Sequence, residues 1–345
     1  MTAGRLGADR ADLAALVQQA ADGQARAVAR LISLIESGAP ELPELAQLLA
    51  PLTGRAQVVG LTGPPGVGKS SSTSALIGVL RAAGAKVGVL AVDPSSPLSG
   101  GALLGDRIRM TEHATDPGVF VRSMATRGQL GGLAAAVPQA LRVLDAAGCD
   151  VVLLETVGVG QSEVEVVRLA DTTVVLLAPG MGDSVQAAKA GILEIADIFV
   201  INKADTADAG TVSGQLRQVR SMAGARPGWE APILHTVATR GDGIAELVAA
   251  IEQHRGWLTS SGELARRRND RARGEIEAIA LAAVRRRFAA VTGAPALTGL
   301  ADRVAAGDLD AYAAADTLLA SLPGLLPDRS GRDDPKDRKA RGDRQ

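Results

Sequence analysis

The run Gly63-Pro64-Pro65-Gly66-Val67-Gly68-Lys69-Ser70, followed by Ser71, fits the pattern G-x-x-x-x-G-K-[ST]. Glycines at these spacings let backbone N–H groups curl around phosphate oxygens, and a helix starting at the end of the run adds its partial positive charge. Lys69 can reach the β- and γ-phosphates, and the Ser70 hydroxyl can ligate Mg²⁺. The apolar run Val58–Thr62 precedes the loop, and a helical pattern follows it. Lysine is scarce here, confined to positions 69, 86, 189, 203, 336 and 339, which makes a chance match rare.

Three acids can complete a metal site with Ser70. Glu155 follows the run Val151–Leu154 and opens Glu155-Thr156-Val157-Gly158. A carboxylate there holds Mg²⁺, often through water, and Gly158 can offer its N–H to the γ-phosphate. Asp93 ends the run Val87–Val92, and such strand ends form the ligand crevice of open α/β sheets. Asp106 lies in the Gly-rich stretch Ser99–Arg109. For each acid the alternative is an ordinary solvated loop residue.

Asn202-Lys203-Ala204-Asp205 directly follows the apolar run Ile198–Ile201. N-K-x-D at that place reads guanine. Guanine presents N1–H and the 2-amino group side by side, and one Asp carboxylate accepts both. Adenine lacks that donor pair, and binding it would leave the acid unpaired. The Lys203 stem can cover the base, and Asn202 can pin neighbouring loops.

Positioning these groups requires a sheet. Short apolar runs recur at Val58–Thr62, Val87–Val92, Val119–Val121, Val151–Leu154, Thr173–Ala178, Ile198–Ile201 and Ile233–Leu234, mostly separated by helical stretches. Continuous apolar strands alternating with helices predict an α/β fold with a mainly parallel sheet covered on both faces. Ahead of it, spacings of three and four over residues 9–36 predict two amphipathic helices, and a third covers Leu45–Leu52. After Trp257 the strand pattern stops. Leu264–Val291 reads as a long Arg-rich helix with Ile276, Ile279, Ala280, Ala283 and Val284 on its apolar side, followed by helices Leu297–Ala306 and Leu309–Leu319. From Asp328 to Gln345 the chain is mostly charged and has almost nothing to bury, so it reads as a disordered tail. The expected organisation is an N-terminal helical extension over 1–55, a phosphate-loop domain over 56–258, a C-terminal helical arm over 259–326 and the tail over 327–345.

Composition narrows the function. The 345 residues carry 37 Lys+Arg against 38 Asp+Glu, a formal net charge of −1. That excludes a broadly basic nucleic-acid binder. Aromatics at 2% leave no base-stacking platform, and the core must be Ala, Leu, Val and Ile. The single cysteine, Cys149, excludes an internal disulfide framework and a Cys-rich zinc site. A polar start with no apolar core argues against a secretory signal. No run reaches the length of a membrane span. The expectation is a cytoplasmic protein with neither nucleic-acid nor membrane partners.

Taken together, Gly60–Ser72, Val92–Pro97 (VDPSSP), Leu104–Met110 (LGDRIRM), Arg122–Gly132 (RSMATRGQLGG), Glu155–Glu163 (ETVGVGQSE), Pro179–Asp183 (PGMGD) and Asn202–Asp205 resemble the MeaB/ArgK family of P-loop GTPases. The resemblance covers roughly residues 10–320. It implies GTP and GDP as ligands, Mg²⁺, and a homodimer joined through the helical arm. It also implies a partner, an adenosylcobalamin-dependent acyl-CoA mutase, by default methylmalonyl-CoA mutase, whose cofactor loading is gated and which is protected from inactivation. Carried over, Lys69 and Ser70 hold phosphate and metal, Asp93, Asp106 and Glu155 surround Mg²⁺, and Asn202, Lys203 and Asp205 read guanine. The stretch Ala178–Lys189 matches the family's extra switch loop. Lys189 is then a partner-sensing residue or a plain surface lysine.

One departure concerns the last guanine contact. Its usual Ser-Ala-like loop here reads His235-Thr236-Val237-Ala238, and the backbone N–H of Ala238 is the expected donor. Gln161 stands where either a water-positioning glutamine or an ordinary switch residue belongs. Arg107, Arg109 and Arg122 are each open as phosphate sensors or structural partners. Three other readings compete. A nickel-inserting GTPase needs clustered His and Cys, but His113, His235 and His254 are scattered. A transport-linked ATPase or kinase conflicts with Asp205. A nucleotide-gated adaptor with incidental hydrolysis is the alternative outside enzymes.

Overall fold

The computed structural model describes residues 10–93, 110–113, 115–125, 132–156, 168–180, 195–206, 208–223 and 228–320. The chain forms two compact units, Met1–Ile276 and Glu277–Gln345.

The first unit is built on seven strands, each found where an apolar run predicted one. They are β1 (Gln57–Thr62), β2 (Val87–Asp93), β3 (Val119–Ala125), β4 (Val151–Thr156), β5 (Thr172–Leu177), β6 (Ile198–Asn202) and β7 (Ile233–Thr236). They form one sheet in the order β3-β2-β4-β1-β5-β6-β7. Every pairing is parallel. Central strands are buried on both sides, which is why they read as unbroken apolar runs rather than alternating ones. The chain leaves β1 toward β2 on one side and later passes to β5 on the other. Connections that diverge in this way open a crevice at the carboxyl ends of the strands.

Helices cover both faces. On one face lie α1 (Arg10–Ala21), α2 (Ala25–Ser37), α3 (Leu42–Leu49) and α5 (Gly132–Ala146), packing Leu31, Ile32, Leu45, Leu49 and Leu144 against Leu90, Val152 and Leu154. Farther along that face α6 (Ala209–Ala223) sets Val212 and Leu216 on Val175 and Phe199. The other face is covered by α4 (Lys69–Ala82) and α7 (Ile244–Ser260), whose Leu76, Ile77, Ile244 and Leu247 meet Val59, Leu61, Val174 and Val200. The N-terminal helices are tied to the sheet by charge as well. Arg122 on β3 donates to Glu36 at 2.5 Å and to Ser33 at 2.9 Å, both on α2. Arg122 thus has structural partners on α2.

The amino ends of the strands are held from α8 (Glu263–Ala305). Asp171 and Asp197, both nearly fully buried, precede β5 and β6. Arg267 grips the Asp197 carboxylate with two bonds of 2.9 and 3.0 Å. Arg268 and Arg271 both bond the Asp171 carboxylate, and Arg268 also donates to Gly54 O at 2.6 Å and Ala56 O at 3.0 Å. The same carboxylates accept strand N–H groups, Asp171 from Val58 at 3.0 Å and Asp197 from Thr173 at 2.9 Å. Burial pushes the Asp171 carboxyl up, but Arg271 and Arg268 outweigh it and hold the group below the usual carboxylate range.

Two helix boundaries differ from expectation. The third helix starts at Leu42 and ends at Leu49, and Ala50–Leu52 tightens into a 3-10 turn around Pro51, which has no N–H for an α-helical bond. The break expected before Leu297 is absent, because α8 runs on to Ala305 through Gly293 and Pro295. Gly and Pro are penalties in a helix, about 1 and 3 kcal/mol, and long Ala-, Leu- and Arg-rich flanks carry the helix across them. After it comes α9 (Ala311–Ala320). Along α8 and α9 the large apolar side chains Ile276, Ile279, Leu281, Val284, Leu297 and Tyr312 are exposed. The charged tail lies outside the described residues.

Candidate functional site

The phosphate loop leaves the carboxyl end of β1 and turns into α4. Its middle is anchored by Val67, whose side chain is fully buried in the core under α4, while Pro65 and Gly66 are exposed. Two of its glycines are sterically required. Gly63 has φ 142°, and a Cβ there would collide with the Leu176 carbonyl of β5. Gly68 has φ 94° and lies against the Asn202 side chain. Gly68 is also the N-cap of α4, so the first turn of α4 receives no side-chain cap. A helix start of that kind offers its N–H groups and its dipole to an anion.

Lys69, 7% exposed, donates its ammonium to Gly63 O at 2.6 Å and to Pro64 O at 3.2 Å. The cation therefore rests on the rim of its own loop. Ser70 donates to Glu155 Oε1 at 2.6 Å. Glu155 is 4% exposed and stands inside β4, one residue from its end, beside Leu61 of β1. Its second oxygen accepts from Thr73 at 3.0 Å. Sequence reasoning missed Thr73. The available signal was its position one helical turn after Ser70, which puts both hydroxyls on one side of α4. Ser71 follows on α4, half-buried. The Ser70–Glu155 pair offers hard oxygen donors next to a phosphate cradle, the set that suits Mg²⁺. The backbone of Asp93 closes β2 at this same end of the sheet, and its side chain lies outside the described part. Asp106, Gly158, Gln161 and Lys189, with Arg107 and Arg109, lie outside the described residues.

The base-reading segment follows β6 and is bonded directly to the phosphate loop. Asn202, 3% exposed, donates from Nδ2 to Val67 O at 2.8 Å. Its Oδ1 accepts from the Thr236 hydroxyl and from the Ala238 N–H, both at 3.1 Å. Ala238, expected as a guanine contact, thus uses its N–H to orient Asn202. Lys203 has φ 57°, the left-handed region that non-glycine residues rarely occupy, and donates to Gly66 O at 2.8 Å. That conformation carries the chain over the loop rather than away from it. Asp205 is half-exposed and pairs with Arg240 at 3.3 Å, and Arg240 also holds Asp242 at 2.8 Å. Arg240, in the loop after β7, is a further residue the sequence reading did not single out, and Thr236, quoted there only within the His235–Ala238 run, ends β7.

The phosphate loop and the base-reading segment are thus joined at the carboxyl end of the sheet. Backbone donors, Lys69 and a helix N-terminus suit a polyphosphate, Ser70 and Glu155 suit its metal, and an exposed carboxylate at Asp205 suits a base with adjacent donors.

Comparison with known proteins accords with this geometry. The profile of the family described as "Methylmalonyl Co-A mutase-associated GTPase MeaB" matches residues 28–293. A Pyrococcus abyssi protein that carries a provisional GTPase name is 48% identical over 312 residues, spanning 90% of this chain and 96% of that protein. The Mus musculus protein "Methylmalonic aciduria type A homolog, mitochondrial" is 37% identical over 267 residues, 71% of this chain and 64% of that one. A crystal structure described as an LAO/AO transport system kinase aligns with a TM-score of 0.65 at 27% identity, covering 90% of this chain and 98% of that one.

Proposed function

The chain belongs to the MeaB family of methylmalonyl-CoA mutase-associated GTPases, and we propose that it binds and hydrolyses GTP to gate adenosylcobalamin loading of an acyl-CoA mutase and to protect that enzyme, methylmalonyl-CoA mutase by default. One observation carries the nucleotide part of this reading. Asn202 and Lys203 are hydrogen-bonded to Val67 O and Gly66 O, so the guanine-reading and phosphate-binding segments form one site.

In this reading Lys69 exchanges the carbonyls of Gly63 and Pro64 for β- and γ-phosphate oxygens. The α4 N-terminus faces the same charge. Ser70 and Glu155 would hold Mg²⁺, with Asp93 and Asp106 around them. When bound, Mg²⁺ supplies charge neutralisation at the β- and γ-phosphates. Hydrolysis places a water in line with the γ-phosphorus and breaks its bond to the β–γ bridging oxygen, releasing GDP and phosphate. Gln161 is assigned to orient that water, and the Gly158 N–H to bind the γ-phosphate. Asp205 selects guanine through its paired donors.

The exposed apolar residues of α8 and α9 support a homodimer joined through the helical arm. The relation to a mouse protein named for methylmalonic aciduria supports the mutase as partner. Among the described residues no helix is long and apolar enough to cross a membrane.

Steady-state phosphate release, measured with and without methylmalonyl-CoA mutase, tests the reading. Slow turnover alone and faster turnover with mutase are expected. No acceleration by any acyl-CoA mutase sinks the chaperone role, and GTP turnover without Mg²⁺ sinks the metal assignment. In the Lys189→Ala variant, intrinsic turnover stays near wild type and the acceleration falls if Lys189 relays the partner.

A further inference from the structure

A second pocket lies at the amino end of the sheet, on the opposite side of β1 from the phosphate loop. Its lining includes Arg55 and Gln57 at the start of β1, Arg255 and Thr259 on α7, and Arg268 on α8. It is open to solvent, and about 440 Å³ of space, solvent included, lies within it.

Gln57 is the unusual member. It is 2% exposed, yet neither its Nε2 nor its Oε1 has a hydrogen-bond partner among the described residues. A buried primary amide left unsatisfied at both ends is destabilising, because it has lost water and gained no partner. An apolar residue of similar shape, such as Leu or Met, would carry no such cost in a strand otherwise built from Val, Gly, Leu and Thr.

The charges around it point the same way. Arg268 is committed to Asp171 and to two carbonyls, so the Asp171 charge is already answered. Arg255 is half-buried, and its guanidinium has no ion pair among the described residues. Among the described residues Arg55 gives its guanidinium only to the Leu52 carbonyl, at 3.3 Å. Two guanidiniums without carboxylate partners and an amide wanting both a donor and an acceptor make a specific demand. A hydrogen-phosphate group meets it. Its anionic oxygens accept from Arg55, Arg255 and Gln57 Nε2, and its P–OH donates to Gln57 Oε1.

We infer that this pocket is a second ligand site, taking the hydrogen-phosphate group of a small molecule and separate from the nucleotide crevice. The two sites sit at opposite ends of one strand of six residues, about 20 Å apart. The assignment stands independently of the GTPase reading. Free phosphate and a small phosphomonoester share the chemistry, and they are told apart by affinity.

The test uses the full chain saturated with a non-hydrolysable GTP analogue and Mg²⁺, so that the phosphate loop is filled. Inorganic phosphate, glycerol phosphate and sulfate are titrated separately by calorimetry near pH 6. If the analogue does not bind, the Lys69→Ala chain replaces it, with the loop's own cation removed. One saturable phosphate site is expected. Arg255→Ala and Gln57→Leu should each weaken it at least tenfold while leaving analogue affinity unchanged. Both variants should fold, since the first removes a side chain without an ion-pair partner and the second removes unsatisfied polar atoms. Sulfate carries no proton at this pH and should bind several-fold more weakly. Glycerol phosphate binding tighter than inorganic phosphate identifies an ester as the ligand, and equal binding identifies free phosphate. Absence of a saturable site in the wild type overturns the proposal. So does binding that both variants leave intact, or sulfate binding as tight as phosphate.

Discussion

At the carboxyl end of the strands, Lys69 and Lys203 rest on backbone carbonyls of the phosphate loop, whereas at the amino end Arg267, Arg268 and Arg271 rest on two buried carboxylates. The acceptors differ in charge, and that difference separates a working site from a frame. A cation on a neutral carbonyl keeps most of its appetite for an anion, and an arriving phosphate replaces the carbonyl with gain. A cation on a buried carboxylate is already neutralised, and neither partner can leave without stranding the other. The same fold therefore carries exchangeable charge at one end and locked charge at the other.

The widest separation between the two ends should appear in Asp171→Ala. It strands Arg268 and Arg271 and removes an acceptor from the Val58 N–H, so stability should fall by about 3–5 kcal/mol. Chemical denaturation measures it, and the folded fraction should keep its GTP affinity. Acid does the same thing gradually. The folded-state Asp171 carboxyl titrates below its unfolded value of about 3.9, so its contribution is complete above that pH and disappears as pH falls through the lower folded value. Glu263, held down to about 2 chiefly by its hydrogen bond from Arg266, acts in the same direction. Denaturation midpoints should be flat with respect to these groups from pH 5 to 7 and drop below about 4.

Lys69→Ala should give the reverse pattern. GTP binding should weaken by about 3 kcal/mol, more than a hundredfold, because a charge facing the phosphates is lost. Stability should change far less than in Asp171→Ala, since the loss of Lys69 leaves no buried carboxylate pair of Asp171 or Asp197 broken. A variant that binds GTP normally by calorimetry would remove Lys69 from the site. Asp205→Asn should cost about 2 kcal/mol of GTP affinity and turn preference toward xanthosine triphosphate, whose 2-carbonyl pairs with an amide N–H₂. Competition binding between the two nucleotides decides it. The smallest effect belongs to Arg240→Ala. Its pair with Asp205 is exposed on both sides, so GTP affinity should move by less than about 1 kcal/mol. A larger loss would make Arg240 part of the base site rather than a resting partner.

The frame was legible in the sequence wherever burial is two-sided. The edge strands β3 and β7 are only partly buried and show as short apolar runs, while the central strands β4, β5 and β6 announce themselves because a strand packed on both faces leaves little room for polar residues. The phosphate loop, Glu155 and the Asn202–Asp205 segment were legible because each sits at the end of such a strand. What escaped is contact between segments distant in sequence. Nothing local marks Thr73 as a partner of Glu155, Ala238 as a donor to Asn202, or three arginines of α8 as the partners of Asp171 and Asp197. Helix limits failed at Pro51 and Pro295 in opposite ways. The first proline coincides with a tightened turn, and the second is carried inside a long helix, because the outcome depends on the flanking residues rather than on proline alone.

The strand order has a consequence for how the chain is made. β1 is the first strand synthesised, yet its two neighbours are β4 and β5, with pairings as distant as Val59 with Thr172. Between β1 and the end of β5 lie residues 63–177, which a ribosome adds in roughly 6–23 s at about 5–20 residues per second. Until that interval ends β1 lacks at least one of its two strand partners, since β4 is complete only at Thr156 and β5 only at Leu177. Early on β1 can be covered by α1, α2 and α3, which bury apolar side chains against one another, and by α4, which follows it directly. The nascent chain is thus most vulnerable to misassociation before the Asn202–Asp205 segment has been translated.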